Sequence, residues 1–362
     1  MKTQRYVLGD ICTRLSSGKS INAEDISDRG LFPVYGGNGI RGYTNSSNFE
    51  GECVLIGRQG AYCGNVRYFT GEGYITEHAI ALSADENHNT KYIGFVLDRM
   101  NLGLLSHQAA QPGISVGVLA KQPIELPDKN TQNKIANIIN HYDDLIENNQ
   151  KQIKLLEEAA QRLYKEWFVD LHFPGHENVK IVDGVPEGWL SSSLEKLSIL
   201  KAGGDRPKVF SEIRSMECNV PVYANGSDDE GLYGFTDKAV VMNKSITVSA
   251  RGNIGYTCLR RKPFVPIVRL ICIMPKEEVL EYLYYVIKNS SIQGNGSAQQ
   301  QLTIPMIKDF NVLLPSSNIL HRFNNKVSIF LECIDALKSN ITLLKEARDR
   351  LLPKLMSGEI EV

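Results

Sequence analysis

The clearest pattern of apolar and polar positions is a heptad ladder that occurs twice, once in the middle of the chain and once near its end. Its apolar positions are separated by alternating steps of three and four residues, which is the period of a coiled coil. The pattern therefore predicts two long helices. The seam positions are Ile135, Ile139, Tyr142, Ile146, Asn149, Ile153, Leu156 and Leu163 in the first helix and Phe323, Val327, Phe330, Ile334, Leu337, Ile341, Leu344 and Leu351 in the second.

Connectivity predicts that these two helices are antiparallel. A globular segment joins the end of the first helix to the start of the second, and only antiparallel helices bring those two ends together. Each seam contains one polar member, Asn149 and Arg348, and a single polar seam residue often fixes the register of a coiled coil. The alternative is two amphipathic helices that each pack only on their own globular domain.

The ladders belong to a longer internal repeat. Leu155 to Leu163 returns 188 residues later as Leu343 to Leu351, and Phe32-Pro33-Val34-Tyr35 returns as Val220-Pro221-Val222-Tyr223. Ile56 to Gly60 matches Ser249 to Asn253 with a larger offset, which places Arg251 opposite Arg58 and indicates loops of unequal length. The repeat predicts two globular parts, at 1–128 and, with a linker, at 174–315, each followed by a helical region, at 129–173 and 316–362.

The globular parts combine strand and helix signals. Glu52 to Ile56 and Ser245 to Ser249 are apolar runs typical of strands. Tyr92 to Asp98 and Val279 to Lys288 have helical patterns, and each precedes a glutamine-rich loop. The fold class expected is therefore mixed α/β of the α+β type, with two related domains separated by the antiparallel coiled coil.

Composition narrows the functional class. Forty basic and 41 acidic side chains leave a net charge of −1, which excludes a uniformly basic, histone-like chain but not local basic patches. No apolar stretch approaches the length of a membrane span. Seven scattered cysteines without a secretion signal predict reduced thiols, mostly in the core, in a cytoplasmic protein.

Catalytic and metal-binding motifs are not evident. Ser17-Gly18-Lys19-Ser20 resembles the end of a phosphate-binding loop, but the glycine required earlier in that motif is replaced by Thr13. His172 and His176 have the spacing of a helical metal pair, but Pro174 lies between them and breaks a helix. We therefore expect no catalytic residue and no metal ligand on this chain.

Basic and amide side chains instead favour nucleic-acid recognition. Arginine matches guanine edges and phosphates, whereas asparagine and glutamine match adenine edges. Arg58 and Arg251 are the strongest candidates because each follows a predicted strand among glycines, and Arg260-Arg261-Lys262 is expected to clamp a phosphate. The candidates are Lys19, Asn38, Arg41, Arg58, Gln59, Arg67, His78, Gln108 and Gln111 in the first part and Arg206, Lys208, Asn225, Arg251, Asn253, Arg260, Arg261, Lys262, Arg269, Gln299, Gln300 and Gln301 in the second.

This order of domains and motifs resembles the specificity subunit of a type I restriction–modification system. The resemblance rests on the Phe-Pro-Val-Tyr and Ile-Gly-Arg-Gln-Gly motifs, Gln132 to Ala136, Leu155 to Trp167 and Leu351 to Ile360, and it covers essentially the whole chain. It implies that the globular parts are target recognition domains, each recognising one half of a bipartite site in double-stranded DNA.

The same resemblance implies a set of partners. Two methyltransferase subunits that carry S-adenosylmethionine would dock on the helices, which set the spacer length of the target. A restriction subunit would use ATP and Mg²⁺, so this chain would need no cofactor and no catalytic residue of its own. Two other hypotheses remain open, a metal-dependent nuclease or hydrolase and a coiled-coil scaffold that binds protein or glycan.

Overall fold

The computed structural model describes residues 1–106, 113–290, 292 and 301–362. The fold is mixed α+β, as the sequence predicts, and the chain forms two compact units. Unit 1 contains Met1–Asn148 and Asn340–Val362, and unit 2 contains Asn149–Ser339. The strands are β1 (Gln4–Val7), β2 (Cys12–Ser17), β3 (Phe32–Gly36), β4 (Gly39–Thr44), β5 (Phe49–Gly57), β6 (Val66–Ile75), β7 (Ala79–Ala84), β8 (Pro123–Leu126), β9 (Ile181–Val182), β10 (Val185–Pro186), β11 (Leu190–Ser193), β12 (Ser198–Ala202), β13 (Val220–Tyr223), β14 (Leu232–Thr236), β15 (Ser245–Val248), β16 (Thr257–Arg260), β17 (Val265–Pro266), β18 (Ile271–Pro275) and β19 (Asn311–Leu314). The helices are α1 (Thr90–Arg99), α2 (Val116–Ala120), α3 (Lys129–Tyr164), α4 (Leu194–Leu197), α5 (Leu280–Lys288), α6 (Ile304–Ile307) and α7 (Ser317–Ser357), and one turn of π-helix, Lys165–Val169, follows α3.

Unit 1 is built on a six-stranded sheet in the order β2-β7-β5-β6-β3-β4. Its pairs are antiparallel except β3 with β6, and β1 pairs separately with β8. The central strand β5 is apolar on both faces because Val54 and Ile56 pack with α1, whereas Cys53 and Leu55 pack in a second apolar cluster with Phe69. Burial of both faces explains why this strand has a continuous apolar run instead of strict alternation.

Unit 2 repeats this topology. Its sheets have the orders β12-β18-β15-β16 and β14-β13-β17, and β11 pairs with β19 as β1 pairs with β8. The long strand β6 of unit 1 corresponds to two shorter strands, β16 and β17, with Pro263 between them. Proline has no amide hydrogen to donate to a neighbouring strand, so the sheet is interrupted there. The internal duplication predicted from the sequence is confirmed at the level of topology.

The long helices pair in opposite directions in unit 1. Ile135 and Ile139 of α3 share a buried cluster with Leu355 of α7. Farther along α3, the Asp143 carboxylate lies 2.9 Å from the Arg348 guanidinium. Because the position along α3 rises while the position along α7 falls, the two segments are antiparallel.

The same pairing occurs in unit 2, where it is dominated by aromatic rings. The rings of Trp167 and Phe323 lie 6.0 Å apart, and Phe323 is fully buried. Leu156 of α3 packs in the same cluster as Ile334 of α7. Every seam position predicted from the heptads is buried or half-buried, because both helices present that stripe to each other and to the adjoining sheet.

The two polar seam residues have different environments. Asn149 is only 6% exposed, and its Nδ2 has no hydrogen-bond partner among the described residues. Arg348 donates to Asp143 and pairs with Asp349. Burial alone would lower the pKa of Arg348, but these carboxylates raise it above its usual value. The guanidinium is therefore held charged against α3.

The positions equivalent to this ion pair in unit 2 are apolar. The repeat places Leu331 at the position equivalent to Asp143 and Ala160 at the position equivalent to Arg348. Leu331 and Ala160 are both buried in the core of unit 2. The polar contact therefore belongs to unit 1 alone, and the two helix pairings differ chemically although their backbones repeat.

The cysteines are free thiols, as the sequence predicts. Cys53, Cys218, Cys258 and Cys272 are buried, and Cys333 is exposed. Burial raises the pKa of Cys53 to about 12, so its thiol stays protonated at neutral pH. Within the described residues, no helix combines the length and the apolar character needed to cross a membrane.

Candidate nucleic-acid interface

One edge of the sheet in unit 1 brings several loop segments together. The amide of Lys19 donates to the carbonyl of Ile75 at 3.0 Å, and the amide of Arg58 donates to the carbonyl of His78 at 2.9 Å. A Cβ at Gly18 would lie 2.1 Å from the Ile75 carbonyl oxygen. Only glycine permits this approach, so the ends of β2 and β5 and the β6–β7 turn are held in one fixed arrangement.

Several of the exposed side chains at this edge are polar. Lys19, Asn38, Arg41 and Gln59 all face solvent. Arg58 behaves differently, because its Nη1 lies 3.5 Å from Ser17 Oγ and 3.4 Å from the Glu77 carbonyl oxygen. Arg58 therefore folds back onto the protein and supports the edge.

Unit 2 forms an equivalent edge that shares several, but not all, of the backbone hydrogen bonds of unit 1. Gly204 donates to the carbonyl of Pro266 at 3.2 Å, as Lys19 donates to Ile75 in unit 1. The amide of Leu302 donates to the carbonyl of Ala250 at 2.9 Å. Asn225 completes the edge, since its Oδ1 accepts from the Ala250 amide and its Nδ2 donates to the Val268 carbonyl, each at 2.7 Å.

These hydrogen bonds correct the sequence-based match of Arg58 with Arg251. Ile114 donates to the carbonyl of Arg58, and its equivalent Leu302 donates to the carbonyl of Ala250. Arg58 therefore corresponds to Ala250, and Gln59 corresponds to Arg251. The prediction that Arg58 and Arg251 are equivalent is wrong by one residue.

The physical reason is a longer turn in unit 2. In unit 1, Gly36 pairs with Gly39 across the β3–β4 turn. In unit 2, the corresponding Ala224 donates to Gly231, so the turn contains four more residues. This insertion changes the offset between the copies from 188 to 192. The false match arose because an arginine precedes a nearby glycine in both copies, Arg58 before Gly60 and Arg251 before Gly252.

The candidates of unit 2 differ in how free their side chains are. Arg251 donates to Gln301 Oε1 at 3.1 Å but is exposed. Asn253 donates to Ser227 Oγ at 2.9 Å, within the same edge. The Asn225 amide is used to hold the backbone, so it supports the edge as Arg58 does in unit 1. The exposed candidates of unit 2 also include Arg206, Lys208, Lys262 and Arg269.

Arg260 and Arg261 are not available as a phosphate clamp, and that prediction is wrong for both. Arg260 is 4% exposed, its guanidinium carbon lies 3.6 Å from the centre of the Tyr223 ring, and its Nε donates to Thr247 Oγ1 at 3.0 Å. Arg261 pairs with Asp335 of α7 at 3.0 Å. Both arginines are thus paired with groups of unit 2 itself, whereas the adjacent Lys262 remains exposed.

The longer turn of unit 2 supplies the counter-ion of Arg260. Glu230 accepts from Arg260 Nη1 at 3.3 Å and also contacts Lys338 of α7. Burial alone would lower the pKa of Lys338, but Glu230 raises it above its usual value. The equivalent of Arg260 in unit 1 is Phe69, which packs on Tyr35 as Arg260 packs on Tyr223.

The remaining candidates have varied placements. Arg67 is exposed on β6 and His78 is half-buried in the β6–β7 turn. Gln108, Gln111, Gln299 and Gln300 lie outside the described residues. Within the described ranges, no group of three or more histidine, cysteine or acidic side chains is arranged to hold a metal ion.

Comparison with known proteins identifies relatives along nearly the whole chain. The family model described as "Type I restriction modification DNA specificity domain" matches residues 2–158 and 186–347. A putative type I specificity subunit of Mycoplasma pneumoniae is 26% identical over 324 residues, covering 87% of this chain and 86% of the relative. The type I restriction enzyme EcoprrI specificity subunit of Escherichia coli is 39% identical over 146 residues, which is 39% of this chain and 36% of that protein.

A solved structure shares the fold. The crystal structure of a type I restriction–modification system S subunit from M. genitalium superimposes with a TM-score of 0.68 at 18% identity. The match covers 98% of this chain and 96% of that one.

Proposed function

Because the chain belongs to the type I restriction–modification DNA specificity family, we propose that the sheet edge of each unit contacts one half of a bipartite site in double-stranded DNA. The chain is a specificity subunit, the non-catalytic member of such a system. Its function is to select the sequence on which partner subunits act.

One observation supports the proposal most strongly. The sheet edges of the two units have equivalent backbone positions, but these positions carry different residues. Three equivalent positions of the edge are occupied by Lys19, Gln59 and His78 in unit 1 and, in the same order, by Gly204, Arg251 and Arg269 in unit 2. Equivalent edges that carry different donors and acceptors suit two half-sites of different sequence, because base edges are distinguished by their donor and acceptor patterns.

The proposed DNA contacts are the candidates that the structure leaves exposed. The lysines and some of the arginines of this set would contact phosphates. The asparagine and glutamine amides and the remaining arginines would contact base edges. With a net charge of −1, the chain alone has few surplus phosphate contacts, so partner subunits would supply more. The proposed set is Lys19, Asn38, Arg41, Gln59 and Arg67 in unit 1 and Arg206, Lys208, Arg251, Asn253, Lys262 and Arg269 in unit 2.

The helices would dock two methyltransferase subunits. Leu155 and Leu343, which are equivalent in the repeat, are each 64% exposed. Two equally exposed leucines in equivalent sequences suit two copies of one partner. These partners would carry S-adenosylmethionine and modify adenines turned out of the duplex, and a restriction subunit would use ATP and Mg²⁺. The proposed location is the cytoplasm, where the chain meets cellular DNA.

The helices would also set the number of unspecified bases between the half-sites, since α3 and α7 each contribute residues to both units. The test inserts one heptad after Lys151 and one after its repeat equivalent, Ser339. Seven residues keep the seam in phase and lengthen each helix by about 10 Å, which corresponds to about three base pairs of DNA.

The measurement is methylome sequencing of cells that carry the native or the lengthened chain with its methyltransferase partner. The native chain is expected to give two specified blocks, and the lengthened chain the same blocks with a longer spacer. A heptad inserted in α3 alone is the control, because it mismatches the two helices and should abolish methylation. An active, doubly lengthened chain with an unchanged spacer would exclude the helices as the determinant of spacing.

A further inference from the structure

We infer that one equivalent position in each unit, Gln59 in unit 1 and Arg251 in unit 2, determines which base that unit accepts at one position of its half-site. The inference rests on the proposed function and adds to it a specificity-determining residue. Gln59 lies just after strand β5 and Arg251 just after strand β15, both at the sheet edge. Both side chains are exposed.

The backbone at this position is fixed from both sides. Gln59 forms a β-bridge with Gly113, and the preceding Arg58 donates to His78 and accepts from Ile114. In unit 2, the preceding Ala250 accepts from Leu302, the residue equivalent to Ile114. A side chain on so constrained a backbone has a defined origin, which a direct base contact requires.

The neighbouring residues cannot take this role. Arg58 is folded back onto Ser17 and the Glu77 carbonyl, and Ala250 is fully buried and apolar. The exposed side chain of the strand end is therefore Gln59 in one unit and Arg251 in the other. Among the described residues, Arg251 is oriented by one hydrogen bond, to Gln301 Oε1 at 3.1 Å, and its remaining guanidinium donors would serve a ligand.

The two side chains select different bases. A glutamine amide offers one donor and one acceptor, which match N7 and the N6 amino group of adenine. A guanidinium offers two parallel donors, which match O6 and N7 of guanine. We therefore expect an adenine contact in the half-site of unit 1 and a guanine contact in the half-site of unit 2. The wrong base would weaken binding roughly 5- to 150-fold.

The experiment exchanges the two side chains one at a time. Gln59→Arg and Arg251→Gln are each expressed with the methyltransferase partner, and the methylated motif is sequenced. Gln59→Arg is expected to change one A·T pair to G·C in one half-site only, and Arg251→Gln to make the opposite change in the other half-site only. Arg5→Gln is the matched control, since it removes an exposed guanidinium of unit 1 on β1, which lies outside the six-stranded sheet, and should leave the motif unchanged.

A variant that no longer methylates is tested by binding instead. The assembled complex is titrated with oligonucleotides that carry each base at every specified position, and the same single-position change in preference is expected. If both exchanges leave the motif and the preference unchanged, or if Arg5→Gln changes them in the same way, the inference is overturned while the proposed function stands. If the native chain specifies no bipartite motif, the proposed function itself fails.

Discussion

Phe323→Ala is expected to destabilise unit 2 by about 3–5 kcal/mol, the usual cost of removing a buried phenylalanine ring. Phe323 is fully buried at the start of α7. Its ring centre lies 4.8 Å from that of Phe168 and 6.4 Å from that of Tyr164. The substitution leaves a cavity among large rings that cannot collapse into it, so both the apolar transfer energy and the ring contacts are lost.

Tryptophan fluorescence measures this effect selectively. The chain has two tryptophans, Trp167 and Trp189, and both belong to the core of unit 2. Urea unfolding followed by their fluorescence should show a lower midpoint for Phe323→Ala. Ile329→Ala is the control on the same helix, because Ile329 is exposed and its truncation should change stability by less than about 0.5 kcal/mol. Equal midpoints for the two variants would contradict the aromatic core described here.

Glu230→Gln is expected to cost about 2 kcal/mol. It keeps the shape of the side chain but leaves the Arg260 guanidinium buried without its counter-charge. Breaking a fully buried pair costs about 3–5 kcal/mol. We expect a smaller cost, about 2 kcal/mol, because the Glu230 side chain is 41% exposed. The same fluorescence measurement applies, since all of these residues belong to unit 2.

A second substitution tests the cause. Adding Arg260→Phe to Glu230→Gln reproduces the Phe69 arrangement of unit 1, in which a ring packs on the equivalent tyrosine. The double variant should recover part of the lost stability, because the unpaired charge is gone. A double variant that is less stable than Glu230→Gln would show that the lost charge pairing does not explain the destabilisation.

The helices could be predicted from sequence because their signal is local. The heptad spacing identified seam residues such as Ile139 and Val327, and the structure places them in the buried interior. Helix α1 and strand β5 were likewise predicted near their observed bounds, since periodicity and apolar runs depend on neighbours in the chain.

The candidate site was predicted less well because its chemistry depends on distant residues. The burial of Arg260 requires Glu230 and Tyr223, which come from another hairpin, and the sequence shows only a run of three basic residues. The match of Arg58 with Arg251 failed because the four extra residues lie in the preceding turn. Backbone hydrogen bonds, which a sequence does not display, were needed to place Gln59 opposite Arg251.

The central claim is that each unit recognises its own half of a bipartite DNA site. Its most direct test is a hybrid in which residues 1–128, which end just before α3 at Lys129, are replaced by those of a relative with a different target. The hybrid is expressed with the methyltransferase partner and its methylome is sequenced. The account predicts that one specified block changes to that of the relative, while the other block and the spacer are kept. A change in both blocks, or in neither, would contradict it.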